Sequence, residues 1–198
     1  TVETATVGHF KHDVFMDRGI QPLDRRRRVA GVAVTLRIPG PDSALLHHLV
    51  SDLRPGDFVV IDRAGDDRHA CWGGGVTRAA VIAGCSGAVI DGPITDRSEI
   101  EEAGFAIWSR GASPITTKLL ALGGAMNAPV SCGGVAVQPG DLILADESGV
   151  IVLDPAEAEA VADRALEMQA REPVTFARLK AGERLGDISG ASAKVLGG

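Results

Sequence analysis

The chain has 198 residues, 45% of them hydrophobic and 23% charged, with 25 glycines and a formal net charge of −6. That is enough apolar material for one sizeable core with frequent turns, and the acidic balance argues against bulk nucleic-acid binding. No apolar run is long enough to span a bilayer and no signal-peptide pattern opens the chain, so a cytoplasmic protein without a membrane partner is expected.

Near the start, His9 and His12 lie close together, but no further Cys/His cluster completes a zinc set. Arg25 to Arg28 form a basic run before an apolar segment at Val29. Such a run reads as a solvated strand entrance, or as a contact for an acidic partner or anionic substrate. With five Phe, two Trp and no Tyr, the chain has no aromatic interleaving for RNA stacking. Pro41-Asp42-Ser43 opens a predicted helix through about Leu53, with Leu45, Leu46, Leu49 and Val50 on one face. His47 and His48 within it read as surface or packing residues.

Asp57 to Asp62 (DFVVID) is a short apolar run between turn signals and predicts a buried strand. Gly73, Gly74 and Gly75 then open a helical segment, Val76 to Ala83, ended by Gly84 as a left-handed cap. Ala88 to Ile90 is a second strand, running through Asp91-Gly92-Pro93 into a turn with Thr95, Asp96, Arg97 and Glu99. If the two strands are parallel, as a short strand-helix-strand unit favours, the glycine loop and the Asp96 turn emerge together at their carboxyl ends. Cys71, Cys85 and Cys132 have no metal-ligand spacing and form no disulfide framework. Cys71, beside the glycine loop, is a thiol to test for reactivity, although no local His or acid activates it.

Further on, PGDLILAD (139 to 146) echoes PGDFVVID (55 to 62), and its strand turns at Glu147-Ser148-Gly149 into Val150 to Leu153, a hairpin. Asp154 as N-cap, Pro155 at the first helical position and Glu157 start a helix predicted to stop before Pro173. A second helix is predicted over about Val174 to Ala181. Residues 1–182 then form one α/β domain, and 183–198, rich in Gly, Ser and Ala, a tail that is mobile or reaches a neighbouring subunit.

The chemistry concentrates at the glycine loop and the Asp96 turn. Backbone N–H groups at a helix start bind a carboxylate or phosphate, and glycines let the ligand come close. Asp96, with Glu99 one turn on, supplies carboxylates of the kind that hold Mg²⁺ (or Mn²⁺) while it keeps several waters. A 2-oxo acid fits both halves, with its carboxylate on the loop formed by Trp72, Gly73, Gly74, Gly75 and Val76. Its keto oxygen would meet a metal at Asp96 and Glu99, which stabilises an enolate formed by C–C cleavage. A plainer reading stands beside this one: three glycines also make a tight turn, and Asp-x-x-Glu also starts a helix with favourable charge placement.

The order of these features resembles the RraA-like family, which includes divalent-metal-dependent 4-hydroxy-4-methyl-2-oxoglutarate/4-carboxy-4-hydroxy-2-oxoadipate aldolases and the regulator of ribonuclease activity A. The resemblance rests on VAGVAVTLRIPG (29 to 40), RPGDFVVID (54 to 62), the WGGG loop (72 to 75), GAVIDGPITD (87 to 96), GFAIWSRGASP (104 to 114) and APVSCGGVAVQPGDLILADESGVIVL (128 to 153). It implies a swivelling β/β/α fold with C-terminal helices, and a metal-binding aspartate at Asp96. It also implies an arginine in contact with the pyruvyl group, where this chain has Thr95. Losing that guanidinium removes a bidentate partner for an oxo acid. Arg97 is the nearest substitute, so Thr95, Asp96 and Arg97 are the catalytic candidates. The family assembles as a trimer or hexamer with the site at a subunit interface, and Glu183 or Asp187 of a neighbouring chain is a candidate to complete it.

The expected function is therefore a metal-dependent lyase acting on a small 2-oxo acid, by retro-aldol cleavage or by decarboxylation of an oxaloacetate-like substrate. The alternative is a non-catalytic regulator that uses the same fold as a binding surface. A menaquinone methyltransferase label, also attached to this family, has no support, because the loop lacks the acidic Gly-x-Gly pattern of nucleoside-binding folds. A Schiff-base route would need Lys11, Lys118, Lys180 or Lys194, and Lys118, in a predicted helix start after SPITT, reads as a solvent residue.

Overall fold

In the computed structural model, which describes residues 1–197, a short helix α1 (Thr4–Val7) and strand β1 (Gln21–Pro22) precede the long strand β2 (Val29–Arg37). Helix α2 (Ala44–Leu49), β3 (Asp57–Asp62), α3 (Gly74–Ile82), β4 (Gly87–Ile90), α4 (Arg97–Glu102) and β5 (Ile107–Ser109) alternate after it. Strand β6 (Ala125–Met126) leads to two hairpins, β7 (Val130–Cys132) with β8 (Val135–Val137) and β9 (Leu142–Asp146) with β10 (Gly149–Leu153). Helices α5 (Pro155–Lys180), α6 (Leu185–Ile188) and α7 (Ala191–Leu196) follow.

Strands β2 to β5 run parallel, as strand-helix-strand crossovers require, with Val59 opposite Ala88 and Val60 opposite Val89 between β3 and β4. The order β1-β5-β4-β3-β2-β9-β10, with β6 also on β2, makes one mixed eight-stranded sheet. Strand β3 shows why its sequence is a nearly unbroken apolar run. Phe58 and Val60 face Trp108 and the β7–β8 hairpin, through Val130, Cys132 and Val137. Val59 and Ile61 face Leu46, Trp72, Val76 and Ile100, carried by helices α2 to α4 and the loop before α3. A central parallel strand covered on both faces has no polar side to show. The β7–β8 hairpin, the main sheet and the helices form the expected swivelling β/β/α domain. A third cluster, with Val7, Leu144, Ile151, Val161 and Ala165, packs α1 and α5 on the β9–β10 hairpin.

Several expectations change in detail. Helix α2 stops at Leu49 rather than near Leu53, and Leu46, Leu49 and Val50 form its buried face while His47 and His48 are exposed. Helix α5 is one continuous 26-residue helix that passes through Pro173. Proline there deletes the N–H that would reach the Gln169 carbonyl, yet the helix continues; Arg171 and Glu172, good helix formers, precede the proline, and the residues after it are mostly exposed. Lys118 lies in extended backbone bridged to Asp42, not at a helix start. The Arg25–Arg28 run is a strand entrance tied down by local acids. Arg26 and Arg27 pair with Asp24 at 3.0 and 3.4 Å, and Arg28 with Glu3 at 3.1 Å. Helices α6 and α7 bury no residue, Glu183 is held by Arg178 at 2.6 Å, and Gly198 lies outside the described residues.

Strand β2 approaches β3 closely at Gly31. A Cβ there would stand 2.8 Å from the Gly56 carbonyl oxygen and 2.9 Å from Phe58 Cβ. Gly31→Ala is expected to cost about 1–3 kcal/mol, read in urea unfolding as a lower midpoint at unchanged slope; an unshifted midpoint would mean that β2 and β3 have room to part there.

Candidate active site

The loops that leave the carboxyl ends of β3 and β4 meet as the strand order requires. Trp72 pairs in parallel with Ile94, and the Thr95 amide donates to the Trp72 carbonyl at 2.9 Å. Asp96 follows in the left-handed region, with φ 52° and ψ 40°, a costly conformation for a residue other than glycine. It stands at the N-cap position of α4 yet makes no cap bond there. Its Oδ2 instead accepts the Gly74 amide at 3.0 Å, so it caps the neighbouring helix α3. Thr95 Oγ1 donates to the other oxygen, Oδ1, at 3.2 Å.

This contact explains two of the three glycines. A Cβ on Gly73 would lie 2.5 Å from Asp96 Oδ2, and one on Gly74 would collide with the Glu99 carboxylate. At both positions side chains of the Asp96 turn and α4 occupy the space a Cβ would take. Gly75 differs: a Cβ there would meet nothing within 4 Å, and it faces an open cavity. Thr77 is the first residue of α3 whose amide finds a carbonyl, that of Gly73 at 3.0 Å. The Gly75 and Val76 amides are therefore the orphan donors of a nine-residue helix.

The cavity beside them has a volume of about 250 Å³. Gly73, Gly75, Val76, Thr95 and Asp96 form one side of it, and Ser43, His47, Cys71, Thr116, Thr117 and Leu119 are on its other walls. Trp72 is fully buried beneath this loop, stacks on Phe105 at 5.6 Å, and donates from Nε1 to Thr77 Oγ1 at 2.9 Å. Its ring supports the loop and does not reach the cavity. Arg97 turns the other way and lines a separate cavity with Gln21, Ser109 and Arg110, so it does not stand in for an arginine at position 95. Glu99 is paired with Arg78 at 2.8 Å.

Two supports had no local signal in the sequence. Asp42, 1% exposed, accepts the amides of Ala44, Leu120 and Leu122 at 2.9, 3.0 and 2.7 Å, and so clamps the segment that carries the cavity residues Thr116, Thr117 and Leu119. Ala44 is two residues on, but Leu120 and Leu122 lie 78 and 80 residues away, beyond any motif window. Arg63, fully buried, donates to Asp66 at 2.9 Å and to the carbonyls of Gly40 and His69, which holds the loop under Ala70 and Cys71.

The donor set bears on a metal. Among the described residues no three His, Cys, Asp or Glu side chains gather into a site. What remains is one carboxylate of fixed orientation at the cavity, with Glu99 engaged elsewhere. That suits a hard cation held by one carboxylate and several waters, the habit of Mg²⁺ or Mn²⁺, and not the four-ligand habit of zinc.

Burial pushes the Cys71 thiol up to about 11. It is expected to resist iodoacetamide at about pH 8 in the folded protein and to react only on unfolding, as mass spectrometry would read; rapid alkylation would restore a nucleophilic role. The Ala44 amide first, then those of Leu120 and Leu122, hold the Asp42 carboxyl below the usual carboxylate range, against burial. A depressed carboxylate contributes stability above its unfolded value and loses it as pH falls through the folded one. Melting temperature should therefore fall more steeply between about pH 5 and about pH 3 in the parent than in Asp42→Asn; identical slopes would remove Asp42 from the clamp.

Comparison with known proteins places this geometry. A family model described as RraA-like, Aldolase/RraA, matches residues 4–152. A protein of Halalkalibacterium halodurans named "Putative 4-hydroxy-4-methyl-2-oxoglutarate aldolase" is 36% identical over 151 residues, covering 76% of this chain and 71% of that one. The 4-hydroxy-4-methyl-2-oxoglutarate aldolase of Thermus thermophilus is 33% identical over 128 residues, 65% of this chain and 77% of that one. Among solved structures, Streptomyces coelicolor RraAS2, an unusual member of the RNase ES inhibitor RraA protein family, superposes with a TM-score of 0.77 at 28% identity, covering 88% of this chain and 91% of that one. With a family match over most of its length and relatives above 30% identity, this chain belongs to the RraA-like family.

Proposed function

We propose that the protein is an aldolase-type lyase that acts on a small 2-oxo acid in the cavity between α3 and the Asp96 turn, and that it depends on Mg²⁺ or Mn²⁺. The observation that carries the reading is the cap across the two loops. Asp96 reaches from a strained turn to the Gly74 amide, which leaves a fixed carboxylate beside the two orphan amides of Gly75 and Val76. Relatives named as 4-hydroxy-4-methyl-2-oxoglutarate aldolases support the reaction class.

In this reading the Gly75 and Val76 amides take the substrate carboxylate, aided by the helix dipole. Asp96, alone or with waters, holds the cation, and the Thr95 hydroxyl fixes its Oδ1. When bound, a divalent cation supplies Lewis-acid stabilisation for the negative charge that develops as a C–C bond breaks. The buried Trp72–Phe105 stack keeps the loop rigid, so little geometry has to be reorganised during the reaction. Thr95, at the position of the family arginine, retunes which oxo acid is preferred rather than removing activity.

A second reading, a binding protein without catalysis, draws on the exposed Leu119, Leu120 and Leu122 beside the cavity and on the RNase-inhibitor relative. Both are separated by one pair of variants. Asp96→Asn keeps an oxygen for the Gly74 amide but loses the charge, so it should fold as the parent does. It is expected to lower chelator-sensitive pyruvate release from 4-hydroxy-2-oxo acids or oxaloacetate by about a hundredfold or more, and Asp96→Ala should do the same. Full chelator-sensitive activity in either variant would overturn the assignment of Asp96, and no release by the parent would favour the binding reading.

A further inference from the structure

One wall of the cavity away from the glycine loop carries a histidine. His47, in the middle of α2, lines the cavity together with Ser43, Thr116 and Thr117. Its neighbour His48 belongs to a different face of the helix, where it stands 4.0 Å from Asp52 and lines another cavity with Leu45 and Ala121. One step along α2 thus separates a histidine at the site from one outside it.

The place of His47 is set by backbone bonds. The Ser43 amide, at the start of α2, donates to the Lys118 carbonyl at 2.9 Å, and the Lys118 amide donates to the Pro41 carbonyl at 2.8 Å. The same extended segment is tied to the loop before α3, where the Ala70 amide donates to the Ile115 carbonyl at 2.8 Å and the Thr117 amide to the Ala70 carbonyl at 3.3 Å. Two residues on, the Trp72 carbonyl holds the Thr95 amide. A continuous run of backbone bonds therefore connects the Asp96 turn to the start of α2, and Asp42 clamps its far end. Leu46 and Leu49, both buried, fix the rotation of α2 about its axis and leave His47 on the cavity side.

Retro-aldol cleavage needs a group that takes the proton of the C4 hydroxyl, and completion of pyruvate needs a proton delivered to C3. Imidazole suits both steps, because it changes charge close to neutrality. The other reactive side chains at the cavity are differently placed. Asp96 receives the Gly74 amide and the Thr95 hydroxyl, and burial pushes the Cys71 thiol up to about 11.

We propose that His47 is the general base of the cleavage and then the acid that completes pyruvate; this rests on the lyase reading above. With the substrate carboxylate on the Gly75 and Val76 amides, the C4 end of the molecule extends toward α2. Neutral imidazole takes the C4 hydroxyl proton, and the electrons of that O–H bond form the new carbonyl at C4. Those of the C3–C4 bond pass to C3, which gives the enolate of pyruvate, and the carbonyl product leaves. The imidazolium then gives its proton to C3. The histidine ends neutral, and no oxidant or reductant is needed.

The test reads pyruvate release from 4-hydroxy-2-oxo acids and, separately, exchange of the pyruvate methyl protons in deuterium oxide by NMR, both with Mg²⁺. His47→Gln is expected to lower kcat and the exchange rate by about a hundredfold or more, with KM within about twofold and an unchanged melting temperature. His47→Ala should lose as much and regain at least about tenfold when imidazole is added, a rescue that a merely structural role would not give. His48→Gln should match the parent. Parent rates in His47→Gln, or a loss in His47→Ala that imidazole does not relieve, would overturn the proposal and leave the lyase reading standing. Neither release nor exchange by the parent would defeat the lyase reading, and this proposal with it.

Discussion

The site depends on one hydrogen bond between neighbouring loops, from the Gly74 amide to Asp96 Oδ2 at 3.0 Å. It joins the loop after β3 to the turn after β4, and its geometry dictates the residues on both sides. Asp96 must enter the left-handed region to aim backwards. Gly73 and Gly74 present no Cβ to the Thr95, Asp96 and Glu99 side chains that stand against them. A carboxylate at a helix N-terminus is stabilised by the helix dipole, so strain at Asp96 and capping of α3 balance within a single contact. The helix start is left with unpaired donors at Gly75 and Val76, two residues that line the cavity.

Around that contact the molecule is organised to keep the loops from moving. Beneath them lies the parallel core of β3 and β4, buried on both faces, and Trp72 is stacked on Phe105 between the core and the loop. Across the cavity, Asp42 turns an otherwise irregular segment into a wall by taking three backbone amides. Arg63 does similar work from inside, as a buried cation that gathers Asp66 and two carbonyls. Asp42 is matched by three backbone amides, whereas Arg63 is matched through Nη2 alone and its buried Nε and Nη1 find no partner among the described residues.

The division of charge follows from the path of one short segment. Between Ile94 and Arg97 the left-handed Asp96 breaks the extended alternation, so the adjacent Thr95 and Asp96 both face the cavity beside α3 while Ile94 and Arg97 face the second one. One position along the chain thus separates an acidic, hydroxylic surface from a basic one. Position 95 matters for this reason: an arginine there would share the cavity of Asp96, whereas the arginine at 97 does not.

Strand β3, the parallel pairing with β4, the start of α3, the β9–β10 hairpin and the Asp154 cap were legible in the sequence because each depends on neighbours a few residues away, through burial pattern, glycine punctuation or a cap side chain. Asp96 and the glycine loop were legible as a pair because the strand-helix-strand succession forces their loops together. Which glycine serves packing and which faces the cavity was not, since that is decided by atoms of Thr95, Asp96 and Glu99 some twenty residues on. The continuation of α5 through Pro173 has no local signal, and Arg97 facing away depended on the direction of a strained turn. By itself the sequence determined β3 and β4 with their parallel pairing, the start of α3, the β9–β10 hairpin and the acidic turn beside a helix start, all local or topological consequences. The tertiary structure alone decided the cavity's far wall, the clamp at Asp42 and the burial that silences Cys71, because each is a contact between segments whose separation along the chain carries no periodic signal.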